Sequence, residues 1–215
     1  MGKIKLLIAD DHAIVRQGLI KIIQEDSDIE VIDEANDGRE ALEKVRSKKF
    51  DVVILDLSMP EMSGLDCLKQ IKAEFPNLPV LVFSMHPEDQ YEQRVLSAGA
   101  SGYLTKRTEP EEIIKVIREV AAGKKVLSEK IKERLINGKK ISAEPHYELS
   151  DREFQVMVHI ARGLRAKEIA YKLGISDKTI STYRRRIFEK LNCSSNADIV
   201  RYCIEHNINY SEEDV

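Results

Sequence analysis

The first 122 residues alternate short apolar runs with helix-period stretches, and few folds accommodate that alternation. Ile4–Ala9, Val52–Leu55, 79–83 and 101–104 are short apolar runs bounded by polar residues, and 29–32 is a fifth, weaker one. Continuous Ile, Leu and Val runs fit strands buried on both faces, because a strand with one wet face would alternate. Between them, Ala13–Gln24 spaces Ile14, Val15, Leu19, Ile22 and Ile23 at helical period, and 39–45 does so with Ala41, Leu42 and Val45. Stretches 65–73 and 88–98 follow, and 111–121 carries Ile113, Ile114, Ile117, Val120 and Ala121. Five strands alternating with five helices predict an α/β domain built on one five-stranded, parallel, doubly wound sheet.

Working residues of such sheets lie beyond the C-terminal strand ends. Asp10 and Asp11 follow the first strand, Asp56 the third, Ser84 closes the fourth and Lys106 follows the fifth. They should converge on one edge. Two carboxylates at ~4 Å repel by about 4 kcal/mol at an effective dielectric of 20. A hard divalent cation relieves that repulsion, and a few carboxylates plus waters suit Mg²⁺. A carboxylate beside Mg²⁺, with Lys106 and a hydroxyl nearby, is equipped for attack on phosphorus. Taken singly, each residue has a plainer role: Asp10 and Asp11 as helix caps, Asp56 as a turn former ahead of Pro60 and Gly64, Ser84 and Lys106 as strand-end polar groups. Their joint placement after four strands favours a site. His12, His146, His159 and His206 are scattered and are assigned no metal role, while Ser58 and His86 flank the expected pocket.

Residues 1–122 resemble the receiver domain of bacterial response regulators. The resemblance is carried by Ile8-Ala9-Asp10-Asp11-His12, by Leu55-Asp56-Leu57-Ser58-Met59-Pro60-Glu61-Met62-Ser63-Gly64, by Phe83-Ser84, and by Gly99-Ala100-Ser101-Gly102-Tyr103-Leu104-Thr105-Lys106. It implies that Asp56 accepts a phosphoryl group from a histidine kinase. It also implies Mg²⁺ bound directly by Asp11 and Asp56, by Asp10 largely through water, and by the Ser58 backbone carbonyl. Ser84 and Lys106 would bind phosphoryl oxygens, and Tyr103 would be the aromatic that turns inward with Ser84. Arg107 stands where many receivers have proline, so a cis bond there would cost roughly 3 kcal/mol.

The chain carries 34 basic and 37 acidic side chains, but their distribution is uneven. Residues 1–122 hold 16 basic and 23 acidic groups, 123–147 hold 7 and 3, and 148–215 hold 11 of each. Unlike halves joined by a basic connector suggest two jobs. The expected organisation is a receiver at 1–122, a linker at 123–147, a small helical domain at 148–210 and an acidic tail at 211–215. Within the linker, Ile131 and Leu135 allow a short helix, and Lys124-Lys125 and Lys139-Lys140 supply charge. Ser150 and Glu153 form a capping box ahead of Phe154, Met157, Val158 and Ala161, and Gly163 ends that helix. A second helix spans Ala166, Ile169, Ala170 and Leu173 and stops at Gly174. Ser176 caps a third that runs to about Leu191, and a fourth lies near 196–206.

On the third helix Ile180, Tyr183, Ile187 and Leu191 share an inward stripe at about 100° per residue. Lys178, Ser181, Thr182, Arg185 and Arg186 project from the other side, with Arg184 on its border. A basic, hydroxyl-rich helix following a helix and a tight turn fits a helix-turn-helix reader of double-stranded DNA; the plainer alternative is a solvated charged face. The block from Leu149-Ser150-Asp151-Arg152-Glu153-Phe154 to Lys190-Leu191 resembles LuxR-type helix-turn-helix domains. Receiver plus such a reader is the arrangement of NarL/FixJ response regulators, and Ser181-Thr182-Tyr183-Arg184 is similar to the GacA/UvrY-like subgroup. By position, the resemblance implies that Ser181, Thr182 and Arg185 face bases, and that Lys167, Lys178, Thr179 and Tyr183 meet the DNA backbone. It further implies a homodimer on promoter DNA when phosphorylated, with RNA polymerase as a further partner.

Two other function classes fit parts of the pattern. A Mg²⁺-dependent phosphohydrolase of haloacid-dehalogenase type also uses aspartate and lysine, but its nucleophile follows the first strand. A phosphorylation-independent regulator would not need the acid set. The three cysteines, Cys67, Cys193 and Cys203, have no metal spacing or even pairing, and no apolar run reaches the roughly 20 residues of a membrane span. Together with an N-terminus too short in apolar residues for a signal peptide, this predicts a reduced cytoplasmic protein.

Overall fold

The computed structural model describes residues 2–85, 88–129, 132, 133, 145–206 and 208. The chain forms two compact units, Met1–Lys132 and Glu133–Val215. In the first, β1 (Ile4–Ala9), β2 (Ile29–Ala35), β3 (Val52–Leu55), β4 (Val80–Ser84) and β5 (Gly102–Thr105) form a parallel sheet in the order β2-β1-β3-β4-β5. The helices α1 (Ala13–Gln24), α2 (Gly38–Ser47), α3 (Gly64–Glu74), α4 (Glu88–Ser97) and α5 (Pro110–Ala121) alternate with the strands. Leu6, Ile8, Ile54, Leu81 and Phe83 pack with Leu19 and Ile23 of α1 and Ile113, Ile117 and Val120 of α5. The alternate strand residues Leu7, Val53, Leu55 and Val82 are equally buried, as a strand covered on both faces requires.

The strand order reverses between β1 and β3, whose last residues Ala9 and Leu55 are register partners. The next residues, Asp10 and Asp56, therefore leave the sheet side by side at the switch point. On the other side, Ser84 pairs with Thr105, which brings Lys106 to the same edge. The fold places the site before any side chain is considered.

Strand β2 runs three residues beyond its apolar stretch. Asp33 and Glu34 are accommodated because cations reach them: Lys44 and Lys48 lie 2.9 and 2.5 Å from Asp33, and Arg16 lies 2.8 Å from Glu34. Although burial alone would raise it, the Asp33 carboxyl is held down at about 2 by Lys48 and Lys44.

The connector begins differently from the expected tether. The Val126 N–H donates to the Ser101 carbonyl at 2.8 Å, and its side chain packs against the receiver core. The Ser128 N–H donates to the buried Glu92 carboxylate at 2.7 Å. Residues 123–128 thus continue the first unit. The helix expected around Ile131 and Leu135, the Lys139-Lys140 pair, His86 and the acidic tail lie outside the described residues.

The described residues of the second unit include a 3₁₀ turn, Pro145–Glu148, followed by α6 (Asp151–Ala161), α7 (Ala166–Leu173), α8 (Asp177–Leu191) and α9 (Asn196–Glu205). Phe154, Met157, Ile169, Ile180, Ile187, Ile199 and Cys203 form its buried interior. The capping box is present: the Glu153 N–H donates to Ser150 Oγ at 3.3 Å and the Ser150 N–H to Glu153 Oε2 at 2.7 Å. Lys190 Nζ, 2.7 Å from the same carboxylate, ties α8 to the start of α6. Ser150→Ala should cost about 1 kcal/mol, read as faster amide exchange across α6; unchanged exchange would show the box to contribute nothing. Gly174 ends α7 in the left-handed region at φ +63°, which lets the chain turn into α8 within a few residues.

Candidate functional site

The pocket at the C-terminal edge of the sheet brings together five of the expected residues. Asp10 and Asp56 are buried, and the Lys106 ammonium lies 2.7 Å from Asp10 Oδ2 and 2.9 Å from Asp56 Oδ2. Asp11 stands at the rim, its side chain 31% exposed. Ser84 is fully buried at the end of β4, and Ser58 is exposed in the loop after β3. The Leu57 N–H donates to Asp56 Oδ1 at 2.7 Å, fixing one carboxylate oxygen and leaving Oδ2 toward Lys106. Burial pushes the Asp56 carboxyl above its ordinary value; Lys106 opposes that rise and the Asp10 charge adds to it. Burial would lower the Lys106 ammonium, but the Asp56 and Asp10 carboxylates outweigh it and hold it raised. Lys106 is thus charged, shielded from water, and aimed at the most buried acid.

Asp10, Asp11, His12 and Asp56 each offer a ligand atom, all within 4.8 Å of one another. This donor set, mostly oxygen and open on one side, fits a divalent cation. His12, expected to have no metal role, is the fourth member of this group, and it stands directly after the two aspartates in sequence. Tyr103, 2% exposed, pairs with Val82 in the β4–β5 ladder and is turned inward. Among the described residues no peptide bond is cis, so Arg107 follows Lys106 through a trans bond.

The second group of residues gathers on one helix. Lys178, Ser181, Arg185 and Arg186 are exposed on α8, Thr179 and Thr182 are partly exposed, and Lys167 is exposed on α7. Ser181 Oγ donates to the Asp177 carbonyl at 3.0 Å and Thr182 Oγ1 to the Lys178 carbonyl at 3.1 Å, which leaves the hydroxyl oxygens free to accept. Arg185 pairs with Glu189 at 2.8 Å on the same helix, and Arg184 lies over the Phe188 ring, 5.5 Å from its centroid. Tyr183, expected on the inward stripe, is only partly buried; Ile180, Ile187 and Leu191 carry the packing.

Comparison with known proteins matches the regions that carry the two clusters to known families. Residues 6–118 match the response regulator receiver domain, and 147–203 match the bacterial regulatory proteins of the luxR family. The chain belongs to the NarL/FixJ response regulators. Response regulator UvrY of Escherichia coli (strain K12) is 33% identical over 209 residues, covering 95% of each chain. The structure of RcsB from Salmonella enterica serovar Typhimurium bound to promoter rprA in the presence of phosphomimetic BeF3⁻ has a TM-score of 0.65 and 27% identity, covering 94% of this chain and 98% of that one. A structure of two RcsB dimers bound to two parallel DNAs has a TM-score of 0.59 and 30% identity, with 94% and 98% coverage. This response regulator is accordingly a transcription regulator with a receiver and a LuxR-type DNA-binding domain. The phosphohydrolase alternative falls with that assignment, and with Asp56 standing after the third strand rather than the first. Among the described residues no helix is long and apolar enough to cross a membrane.

Proposed function

We propose that Asp56 of this response regulator takes a phosphoryl group from a cognate histidine kinase, and that the acyl phosphate gates dimerisation and promoter binding. The observation that carries this reading is Lys106, buried between Asp10 and Asp56 at the reversal of the strand order. An Asp56 carboxylate oxygen attacks phosphorus, the phosphorus–nitrogen bond of the donor breaks, and the kinase imidazole leaves. Lys106, already beside the reacting carboxylate, holds one phosphoryl oxygen, and the Ser84 hydroxyl donates to another. Asp10, Asp11, Asp56 and the Ser58 carbonyl would hold Mg²⁺. When bound, Mg²⁺ supplies positive charge against the carboxylates and the phosphoryl oxygens. The chain is no enzyme in the turnover sense; it promotes only its own phosphorylation from a small phosphodonor and its own slow dephosphorylation.

Drawing Ser84 toward the phosphoryl group favours the inward Tyr103 and biases the surface of α4, β5 and α5 between two states. The functional divisions we adopt are a receiver at 1–122, a connector at 123–147 whose first residues, 123–128, dock on the receiver unit, a reader at 148–210 and a tail at 211–215. The DNA-bound RcsB dimers support a homodimer placing two α8 helices in successive major grooves. RNA polymerase is a further partner at the promoter, and the cytoplasm is the compartment that fits.

On α8, Ser181, Thr182 and Arg185 read bases, while Lys178, Thr179, Tyr183 and Arg186 of the same helix and Lys167 of α7 meet phosphates. Arg185→Ala should lose about 1–3 kcal/mol of discrimination at one base position. Lys178→Ala should weaken all sequences alike and reduce the salt slope by about 1. Fluorescence anisotropy against matched and mismatched duplexes separates the two patterns; interchanged patterns would overturn the assignment. The gating itself is tested by selecting DNA from a random-sequence library with and without acetyl phosphate. The expected result is a half-site enriched by phosphorylation in the wild type and not in Asp56→Ala. Equal enrichment in both proteins would contradict it.

A further inference from the structure

His12 occupies the N-cap of α1, where Ser, Thr, Asp or Asn ordinarily accept from the first amides, yet its side chain makes no capping hydrogen bond. The ring turns to the acids instead. Its Nδ1 lies 2.8 Å from Asp11 Oδ1 and 3.5 Å from Asp10 Oδ1. The His12 N–H donates to Asp10 Oδ1 at 2.8 Å, which anchors the residue beside the pocket. The two oxygens of Asp10 therefore face different partners, Oδ2 toward Lys106 and Oδ1 toward His12. With its side chain 62% exposed, the ring is not held there by burial in a core.

We propose that His12 is a cation ligand that gives this pocket a nitrogen donor and a preference for Mn²⁺, Co²⁺ and Ni²⁺ over Mg²⁺. The inference rests on the cation-binding part of the function proposed above and extends it to the identity of the ion. Mg²⁺ is hard, keeps its waters and gains little from imidazole. First-row transition ions accept imidazole readily, and their affinity for mixed nitrogen and oxygen sites rises from Mn²⁺ to Ni²⁺. A carboxylate-only pocket discriminates among these ions less than one with a ring nitrogen 2.8 Å from a ligating oxygen. His12 thus acts as a specificity-determining residue for the cation, whereas Asp10, Asp11 and Asp56 set the charge.

The test uses the full-length protein with Mn²⁺ added below stoichiometry and pulsed electron paramagnetic resonance to detect directly coordinated ¹⁴N. The wild type should show imidazole nitrogen coupling, and His12→Ala should retain bound Mn²⁺ without it. His12→Asn, which restores a capping oxygen, should behave like His12→Ala, separating ligation from any effect on α1. In calorimetric competition, the preference for Ni²⁺ over Mg²⁺ should fall about tenfold in both variants. Bound Mn²⁺ without nitrogen coupling in the wild type, or coupling that persists in His12→Ala, would overturn the role of His12 and leave the pocket a cation site. Failure of the wild type to bind either Mn²⁺ or Mg²⁺ would overturn both readings.

Discussion

Gly64→Ala is expected to destabilise the receiver unit by about 3 kcal/mol or more and to abolish phosphoryl uptake. A Cβ at position 64 would stand 1.8 Å from the Asp56 carbonyl oxygen, 2.7 Å from its carbon and 2.8 Å from Leu57 Cα. All three are backbone atoms at the end of β3, so no side chain can swing aside. The Gly64 N–H also donates to the Leu57 carbonyl at 3.0 Å, closing the loop over Asp56. Relief of the clash must therefore move the residue that carries the chemistry. Gly18 is the control, because it lies within α1 and a Cβ there meets nothing within 4 Å. Gly18→Ala should stabilise by about 0.5–1 kcal/mol. Denaturant midpoints of the two variants should move in opposite directions; a Gly64→Ala midpoint equal to wild type would show that the close approach does not constrain the loop.

Lys106→Ala should destabilise the metal-free protein by about 3 kcal/mol, with partial recovery on adding Mg²⁺. Removing the ammonium leaves two buried carboxylates, Asp10 and Asp56, facing each other without their counter-charge. The deficit should depend on pH in a definite sense. The folded-state Asp56 carboxyl is raised above its unfolded value, so its ionised form costs stability and that cost disappears as pH falls through the folded value. Lys106 opposes the rise, so its removal drives the carboxyl higher still. The gap between wild type and Lys106→Ala should consequently narrow on acidification, as protonation takes over the neutralising role. Lys106 itself is raised, so its contribution is complete below its unfolded value and is lost only as pH climbs through the folded one. Melting temperatures in chelator across pH measure this directly, and a gap that widens toward acid would refute it.

Much of the receiver is legible in its sequence because burial on both faces leaves uninterrupted apolar strands. Where polar residues are tolerated by specific partners, the pattern fails: β2 continues through Asp33 and Glu34 only because Lys44, Lys48 and Arg16 reach across from neighbouring helices. The start of the connector was hidden for a similar reason. Val126 and Ser128 look like tether residues, and their docking depends on the Ser101 carbonyl and on Glu92, both distant in sequence. The convergence of Asp10, Asp11, Asp56, Ser84 and Lys106 followed from strand ends alone, since a parallel sheet puts all those ends on one edge. His12 did not follow, because a cap position says nothing about which way a ring turns. On α8 the helical period placed Ile180, Ile187 and Leu191 correctly but overstated the burial of Tyr183, which sits at the margin of the stripe.

The most direct test of the central claim is the intact mass of the full-length protein after incubation with Mg²⁺ and acetyl phosphate, beside an Asp56→Ala control. One phosphoryl adduct on the wild type and none on the variant is the predicted result. Absence of an adduct on the wild type, with Mg²⁺ binding confirmed and rapid quenching excluding fast loss, or an equal adduct on both proteins, would contradict it.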